Sequence, residues 1–581
     1  MKYNIKFDIL AAAVAMGVVP SVAYGQAEEL SNTITIDRII VPEERAVTRI
    51  GAVPELLPPR VKVKRLLFAE YGESSEITRS LMSTKPVQWG DTVVLPYRGY
   101  VSAAYLPLFN ASVSAGYRVA DTRNTKADVW MQYDGFSYKG KWADDAVAGH
   151  NDGSYRENSV SLGGSLRQYI GVGSVLSADA GYTYYDVSQP FVGNGFATGA
   201  NRFDIGLCWT SDHRGWDYHA AAGFSMFGFT KGAVYDAPEG VTEELHWRPV
   251  NEYSFNVKGG VEAKFREMSR LGLDADVTFV HFGHTGVLGA AYVGGMPSME
   301  EGSPLTRGLI RLTPYYVFKS GAVDLKLGAR VDVTSHGGKA IHVAPDVLFG
   351  WSPEAAFAFY AKAGRGEHLN TLASLWDYTH MMSPSLTYGF SHIPLSVETG
   401  ITIGEIKGFS AVLSAGYTRA NDWLMPVVVG GRCLAFERVD MRGWHIAGHI
   451  SYRYRNLVGI HAGYEAAPQS SNNGYYLWRD RAKWIACAGL EFRPVDALEV
   501  TFDYNYRSGR RGRSVAGDMS GEVSMVGLRP VGSLDIGASY RITEALTATL
   551  GLNNVFNRHY YGFAGIPGRG FNGLAGVSYR F

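Results

Sequence analysis

Alternation of apolar and polar residues dominates the chain from about residue 97 onward. In residues 323–334 the odd-numbered positions are valine, leucine or alanine, and most even-numbered positions are charged. Residues 498–507 alternate in the same way, with aliphatic or aromatic residues at the even positions. A period of two predicts β-strands with one apolar and one polar face.

The alternating stretches are long enough to cross a bilayer as tilted strands, which takes about 10 residues each. Between them runs no sustained helical period, and no apolar run after the N-terminus is long enough for a spanning helix. Counting the stretches predicts about 22 strands, an even number that fits a closed single-chain barrel. The predicted fold is therefore all-β, a transmembrane antiparallel β-barrel.

The predicted connections alternate between short periplasmic turns and long extracellular loops, as in outer-membrane barrels. Short turns are expected near 121–125, 170–174, 212–215, 264–268, 351–354, 404–408, 455–457, 493–497 and 543–545. Long loops are expected near 136–157, 187–200, 228–250, 283–305, 364–391, 466–479, 508–531 and 557–571. The alternation requires residues 437–455 to be one strand, with Gly443 as a bulge. Two extracellular connections, near 107–109 and 334–340, would be unusually short.

The N-terminal part differs from the rest. Residues 1–25 combine two lysines, an apolar run and small residues at the end, the pattern of a cleaved secretory signal. Residues 26–96 are punctuated by prolines and lack a sustained period, which predicts a periplasmic or lumen-filling segment. Residues 97–581 are predicted to form the barrel.

The last residues carry a second signal. Residues 574–581 alternate and end in Tyr579, Arg580 and Phe581, a terminal aromatic strand of the kind that the outer-membrane assembly machinery reads. Residues 551–561, 567–569 and 576–581 together resemble the C-terminal hairpin of TonB-dependent receptors. That resemblance implies a 22-stranded barrel, in agreement with the strand count. It also implies a plug domain larger than residues 26–96, so we expect a receptor-like barrel that lacks a full plug.

A short segment near the N-terminus resembles the energy-coupling box of such receptors. It begins with Thr33, Ile34, Thr35 and Ile36 and continues to residue 41. An exposed β-prone segment can add as a strand to the edge of a partner's sheet, which would make TonB the partner. The alternative is an ordinary strand or linker.

Motifs for enzymatic chemistry are lacking in the sequence. It contains no zinc-protease, paired-cysteine or phosphate-loop pattern, so no catalytic, cofactor-binding or metal residues are predicted. His281 and His284 are interpreted as rim residues with hydrogen-bonding roles, with metal binding as the alternative. Clustered aromatic residues are interpreted as an interfacial girdle, with ligand stacking as the alternative; they are Trp130, Tyr133, Phe136, Tyr138 and Trp142.

Charge adds little to the choice of ligand. Fifty-five basic residues balance fifty-five acidic ones, so nucleic acid is an improbable partner. The predicted lumen-facing residues have both signs; they are Asp324, Lys326, Arg330, Asp332, Glu499, Asp503 and Arg507. A basic run is interpreted as solvated charge, with lipopolysaccharide phosphate or an anionic ligand as the alternative; it comprises Arg507, Arg510, Arg511 and Arg513.

Three functions fit these patterns. The first is a receptor-like barrel that transports a nutrient across the Gram-negative outer membrane. The second is a scaffold that partners other envelope proteins in outer-membrane assembly or surface-protein display. The third is a diffusion porin, for which residues 26–96, inward loops or a partner would have to close a wide lumen.

Overall fold

The computed structural model describes most of the chain after residue 96. The described residues are 97–106, 110–144, 149–171, 173–189, 196–213, 215–231, 251–283, 305–335, 339–354, 356–382, 389–429, 433–467, 482–515 and 523–581. Both predicted N-terminal segments, 1–25 and 26–96, lie outside them, as do Thr33, Ile34, Thr35 and Ile36. Those predictions stay open, including the expectation that a full plug is lacking.

Twenty-two of the strands form one closed antiparallel barrel. They are β1 (Gly99–Leu106), β2 (Asn110–Asp121), β3 (Thr125–Asp144), β4 (Gly149–Ile170), β5 (Ser174–Gln189), β6 (Phe196–His213), β7 (Trp216–Lys231), β8 (Asn251–Arg266), β9 (Ser269–Phe282), β10 (Leu305–Ser320), β11 (Val323–Thr334), β12 (Ile341–Glu354), β13 (Phe357–Leu369), β14 (Phe390–Ile406), β15 (Phe409–Val429), β16 (Cys433–Tyr454), β17 (Val458–Ala466), β18 (Trp484–Val495), β19 (Leu498–Ser508), β22 (Val531–Arg541), β23 (Leu546–Asn553) and β26 (Asn572–Arg580).

The remaining elements are short and do not belong to the circle of wall strands. They are α1 (Leu372–Tyr378), the hairpin β20 (Arg510–Val515) and β21 (Val523–Leu528), and the hairpin β24 (Tyr561–Phe563) and β25 (Ile566–Pro567). Strand β20 nevertheless pairs in parallel with the end of β15, at Val428 and Val429. In the described part of the chain, no helix has the length and hydropathy that crossing a membrane requires.

Each wall strand pairs with its neighbour along the chain, and the last strand closes the circle. In β1 and β26, Ala103 lies opposite Val577 and Tyr105 opposite Ala575. The ring of the terminal Phe581 stacks on Tyr117 and Tyr579 with centroid distances of 6.4 and 6.1 Å. Closure satisfies the backbone groups of every strand, which hydrocarbon demands of a β-structure. Whether Tyr579 and Phe581 act as an assembly signal stays a prediction.

The outward face of the wall is apolar. Leu413 on β15 is 56% exposed, and leucine, isoleucine or valine side chains are similarly exposed on most wall strands. A soluble protein rarely exposes an apolar surface of such extent, whereas a lipid-facing belt requires it. The barrel is therefore an integral membrane protein, as the alternation predicted.

The two rims of the barrel differ in their connections. One rim, here the turn rim, carries short connections such as 122–124, 407–408 and 496–497. The other, the loop rim, carries α1 and both extra hairpins. Gly99 N donates to Phe581 O over 2.8 Å, so residue 99 and the C-terminus meet at the turn rim.

Two details of the predicted wall need correction. Residues 437–454 do belong to one strand, with residue 455 in the turn after it. Gly443, however, pairs regularly with Thr418, and the irregularity lies in β15, between Ala420 and Trp423. The predicted long loop at 136–157 is wrong. Strands β3 and β4 stay paired through these residues up to Asp144 and Gly149. Both strands are therefore much longer than the bilayer requires.

Candidate functional site

The segment after β13 turns inward and forms α1. Thr371 begins the helix: its hydroxyl accepts from Ser374 N while the Ser374 hydroxyl reaches back to the cap, a reciprocal capping box. Leu372 N donates over 2.5 Å to a carboxylate oxygen of Glu252, which lies on β8. A carboxylate at this end of a helix is favoured by the exposed N–H groups. Glu252 therefore holds the start of α1 against a distant part of the wall.

The apolar side of α1 packs on the same part of the wall. Trp376 is completely buried, and its ring centroid lies 5.8 Å from Phe227, 5.6 Å from Phe229 and 5.5 Å from Tyr185. These partners belong to β7 and β5, which pair with neither β13 nor β14. The packing therefore crosses the interior of the barrel.

Two ion pairs reinforce this crossing. The Arg202 guanidinium on β6 donates to both carboxylate oxygens of Asp377, over 3.1 and 2.9 Å. His380, just after α1, lies 2.8 Å from Glu157 on β4. Glu157 also accepts from the hydroxyl of Tyr155. Both bonds to Asp377 come from Nη1 of Arg202, and such charge-assisted hydrogen bonds are stronger than neutral ones, so they help to hold α1 against β6.

A second inward element is the β24–β25 hairpin. Its Ile566 is buried, and the Tyr138 hydroxyl on β3 donates to Pro567 O over 3.0 Å. Phe563 packs edge-on against Tyr378 of α1, with centroids 6.4 Å apart. The hairpin and α1 thus meet. We call α1, residues 379–382 and the β24–β25 hairpin the constriction.

Arg569 secures the hairpin to the wall. Its guanidinium lies 4.0 Å from the centroid of the Phe136 ring and donates to Asn110 over 2.6 Å. Desolvation by burial lowers the pKa of Arg569, and the charge of Glu157 offsets part of that effect. A buried guanidinium with these partners is costly to detach, because detachment leaves polar groups without partners.

The inward aromatic residues contradict the interfacial interpretation. Trp142 is buried in the apolar cluster around the constriction, and the partly buried Phe136 and Tyr138 pack against that cluster, so these three residues do not lie in a lipid-facing girdle. The solvated basic run is also wrong in two places: Arg510 is buried and donates to Gly562 O over 3.0 Å, and Arg513 pairs with Glu437. Sequence alternation could not reveal this packing, because a girdle and an inner cluster use the same residue types.

The seven predicted lumen-facing residues do not gather into one site. Lys326 and Arg330 share Asp346 over 2.9 and 3.7 Å, and Asp332 pairs with Arg311 over 2.6 Å. On β19, Glu499 pairs with Arg493 over 3.0 Å and Asp503 with His461 over 3.2 Å. Asp324 and Arg507 lie opposite Gly350 and Val531 in register. All fall on the faces opposite to the exposed Leu327 and Tyr504, and their roles stay predictions.

One further cluster, which no sequence pattern indicates, lies at the loop rim of β12, β13 and β14. His342, Glu367 and His392 offer ligand atoms that all lie within 4.8 Å of one another. Of the histidines considered from sequence, His281 instead faces the Thr306 hydroxyl over 2.9 Å, and His284 lies outside the described residues.

Comparison with solved structures matches the barrel to outer-membrane receptors. A mutant of the ferric enterobactin receptor from Pseudomonas aeruginosa has a TM-score of 0.61 at 13% identity, covering 83% of this chain and 80% of that chain. The siderophore receptor PirA from Acinetobacter baumannii has 0.62 at 11%, covering 83% and 80%. The pyoverdine receptor FpvA from Pseudomonas aeruginosa PAO1 has 0.60 at 12%, covering 84% and 78%.

Comparisons of sequence give nothing further. No family model matches the chain, and no curated protein matches it. At these identities the structural likeness extends to the fold. The chain is therefore an integral outer-membrane β-barrel with the 22-stranded fold of the receptors that it resembles.

Proposed function

We propose that this protein is an outer-membrane receptor that imports a nutrient, and that the constriction closes its lumen between transport events. The observation that carries the proposal is the attachment of α1 to the far wall through Trp376, Asp377 and Glu252. A barrel of this size without such an obstruction would be a wide hole. A constriction built from the wall's own loops suits selective uptake better than free diffusion.

The fold supports the same assignment at a coarse level. The neighbours named above are described as receptors for ferric enterobactin, siderophores or pyoverdine. Import of a metal chelate of that kind is accordingly the first substrate class to test. A receptor role requires no enzymatic activity. The barrel would be surrounded by outer-membrane lipid and lipopolysaccharide.

Uptake by cells tests the proposal directly. Cells that lack their own chelate receptors would express the full chain and receive radioactive iron bound to enterobactin, to pyoverdine or to other chelators. We expect saturable, energy-dependent uptake of at least one chelate. A matched variant, Asp346→Asn, alters a wall ion pair away from the constriction and should leave this uptake in place. Uptake of none of a broad nutrient panel would overturn the receptor proposal.

Energy coupling has a separate test. Deletion of residues 33–41 should abolish the energy-dependent uptake while the barrel still inserts in the membrane, if this segment contacts TonB by strand addition. Unchanged uptake would refute coupling through this segment and leave the barrel proposal intact. Fixed envelope partners recovered with the barrel in mild detergent, together with no uptake, would favour the scaffold role.

A further inference from the structure

We propose that His342, Glu367 and His392 form a binding site for one divalent transition-metal ion of the zinc class. The site lies on the inward face at the loop rim, and two of its residues lie on β13 and β14, the strands that flank α1. It goes beyond the receptor role and does not depend on it, because the site would bind metal in the purified barrel whatever the barrel transports.

Strand register brings the three residues together. Asp332 of β11 lies opposite His342 of β12, and Glu367 of β13 lies opposite His392 of β14. Asp332 points inward, since it lies on the face opposite to the exposed Leu327. The ring centroids of the two histidines are 4.5 Å apart. One inward-facing row therefore carries two imidazoles with a carboxylate between them.

The backbone of β13 is shaped to place that carboxylate. The register of β13 against β14 shifts between Gly364 and Gly366, and Gly366 has a φ of +149°. A Cβ at Gly366 would collide with the carboxylate of Asp332. Bulges of this kind re-aim a side chain and often occur at functional sites. Here the bulge directs Glu367 towards both histidines.

Surrounding groups hold Glu367 and its neighbours in place. Asp332 accepts from Glu367 N over 2.6 Å, and Arg311 donates both to Asp332 and, over 2.5 Å, to Glu367 O. His342 Nε2 lies 2.7 Å from Lys339 O, a contact in which the imidazole N–H must donate. Metal-binding histidines commonly donate their second N–H to a backbone carbonyl in this way, which fixes the tautomer.

The contacts inside the cluster call for a cation. With Nε2 donating to Lys339 O, the Nδ1 atom of neutral His342 presents a lone pair to Glu367 Oε1, 3.2 Å away. His392 Nδ1 approaches the same oxygen closely, yet both atoms are buried without a hydrogen bond of normal geometry. The Glu367 side chain is only 3% exposed. The lone pair of His342 Nδ1 and the buried carboxylate are directed at one point and repel one another unless a positive charge lies between them.

The donor set indicates which ion. Two imidazoles and one carboxylate suit zinc and neighbouring first-row divalent ions, whereas calcium and magnesium prefer oxygen donors throughout. Zinc sites with three protein ligands leave a position for water or another ligand. Both histidines are partly exposed, His342 by 17% and His392 by 23% of the side chain, so an ion can enter from the lumen.

Zinc binding to the purified full-length barrel tests the site. The protein would be stripped with a chelator and titrated with Zn²⁺ against a competing indicator dye. We expect one ion per barrel in the unaltered protein, with Mg²⁺ unable to displace it. His392→Ala and Glu367→Gln should each weaken binding by at least about 10-fold, the smaller of the losses seen when even an outer partner of a metal site is removed.

His219→Ala is the matched control. His219 also faces a carboxylate, Asp274, over 3.6 Å, but it belongs to no cluster of three potential ligands among the described residues. Its removal should leave the affinity for zinc unchanged. Substitution by Co²⁺ gives a second readout, a visible absorption band that depends on the ligands. If a variant fails to fold, His342→Asn and His392→Asn replace it as milder changes.

Zinc bound once per barrel, lost in the cluster variants and retained in His219→Ala, supports the site. Absence of zinc binding in the unaltered protein would overturn it. Equal affinity in the cluster variants and the control would overturn it as well. Either result would mean that protons alone hold the two histidines against Glu367.

Discussion

The wall and the constriction are stabilised in opposite ways. The wall joins strands that are neighbours along the chain, and its outward face is exposed to lipid at positions such as Leu413. The constriction joins residues far apart in sequence: Trp376 packs on Phe227, and Tyr138 bonds Pro567. The wall therefore depends on a repeated local pattern, whereas the constriction depends on a few individual side chains. Single substitutions should separate the two regions.

The largest expected effect comes from Trp376→Ala. Removing a fully buried aromatic side chain costs about 3–5 kcal/mol, since it leaves a cavity that its neighbours fill only partly. The loss should appear as faster proteolysis within residues 370–382, with the wall's denaturant midpoint little changed. Trp444→Ala, on the exposed face of β16, is the control and should not affect proteolysis there. Equal resistance in Trp376→Ala and the unaltered protein would contradict the packing.

Leu413→Arg should destabilise the wall and leave the packing of the constriction unchanged. A charge on the lipid face costs up to about 2–4 kcal/mol in such barrels, with the largest cost at the middle of the membrane. We expect a lower free energy of unfolding of the whole barrel in lipid vesicles, measured by denaturant titration. Leu413→Met keeps the apolar surface and serves as the control. An unchanged free energy in Leu413→Arg would mean that this face of β15 does not meet lipid.

The ion pair between Arg202 and Asp377 should have an intermediate effect. A double-mutant cycle with Arg202→Gln and Asp377→Asn should give a coupling free energy of about 1 kcal/mol, because the pair is charge-assisted but partly exposed. The free energy of opening of the constriction, from native-state proteolysis, is the quantity to measure. Arg202 also pairs with Asp204, so the cycle is needed to isolate the contact. A coupling of zero would place α1 away from β6.

The smallest effect is expected at the start of α1. Thr371→Ala removes the capping hydroxyl and should cost about 0.5 kcal/mol of the same opening free energy, the low end for such caps, because the Thr371–Ser374 contact is exposed. Thr371→Ser keeps the oxygen and should behave like the unaltered protein. If the two variants were equally destabilised, the capping box would not be what stabilises the helix.

Sequence predicted the wall because its rule is local. The alternation in residues 323–334 predicts which residues lie on each face of β11, and it does so without reference to any other strand. Applying the same rule along the chain gives the strand count. The rule fails where both faces are covered. Near Trp142 the predicted loop is strand, because aromatic residues there pack inward on the constriction.

The constriction and the cluster of two histidines with Glu367 could not be predicted in the same way. α1 has only seven residues inside a predicted loop, and its position depends on Glu252 and Arg202 of distant strands. His342, Glu367 and His392 fit no spacing motif; ladder register and the bulge at Gly366 bring them together. Register between strands follows from the whole barrel, so a single sequence does not specify such a row.

Single-channel conductance of the purified full-length barrel in a planar bilayer tests most directly whether the constriction closes the lumen. We expect no large steady openings in the unaltered protein. We expect wide, long-lived openings when Trp376 and Asp377 are both replaced by alanine, because α1 then loses its contacts with the far wall. Large steady openings in the unaltered protein, or an equally silent double variant, would contradict closure by the constriction.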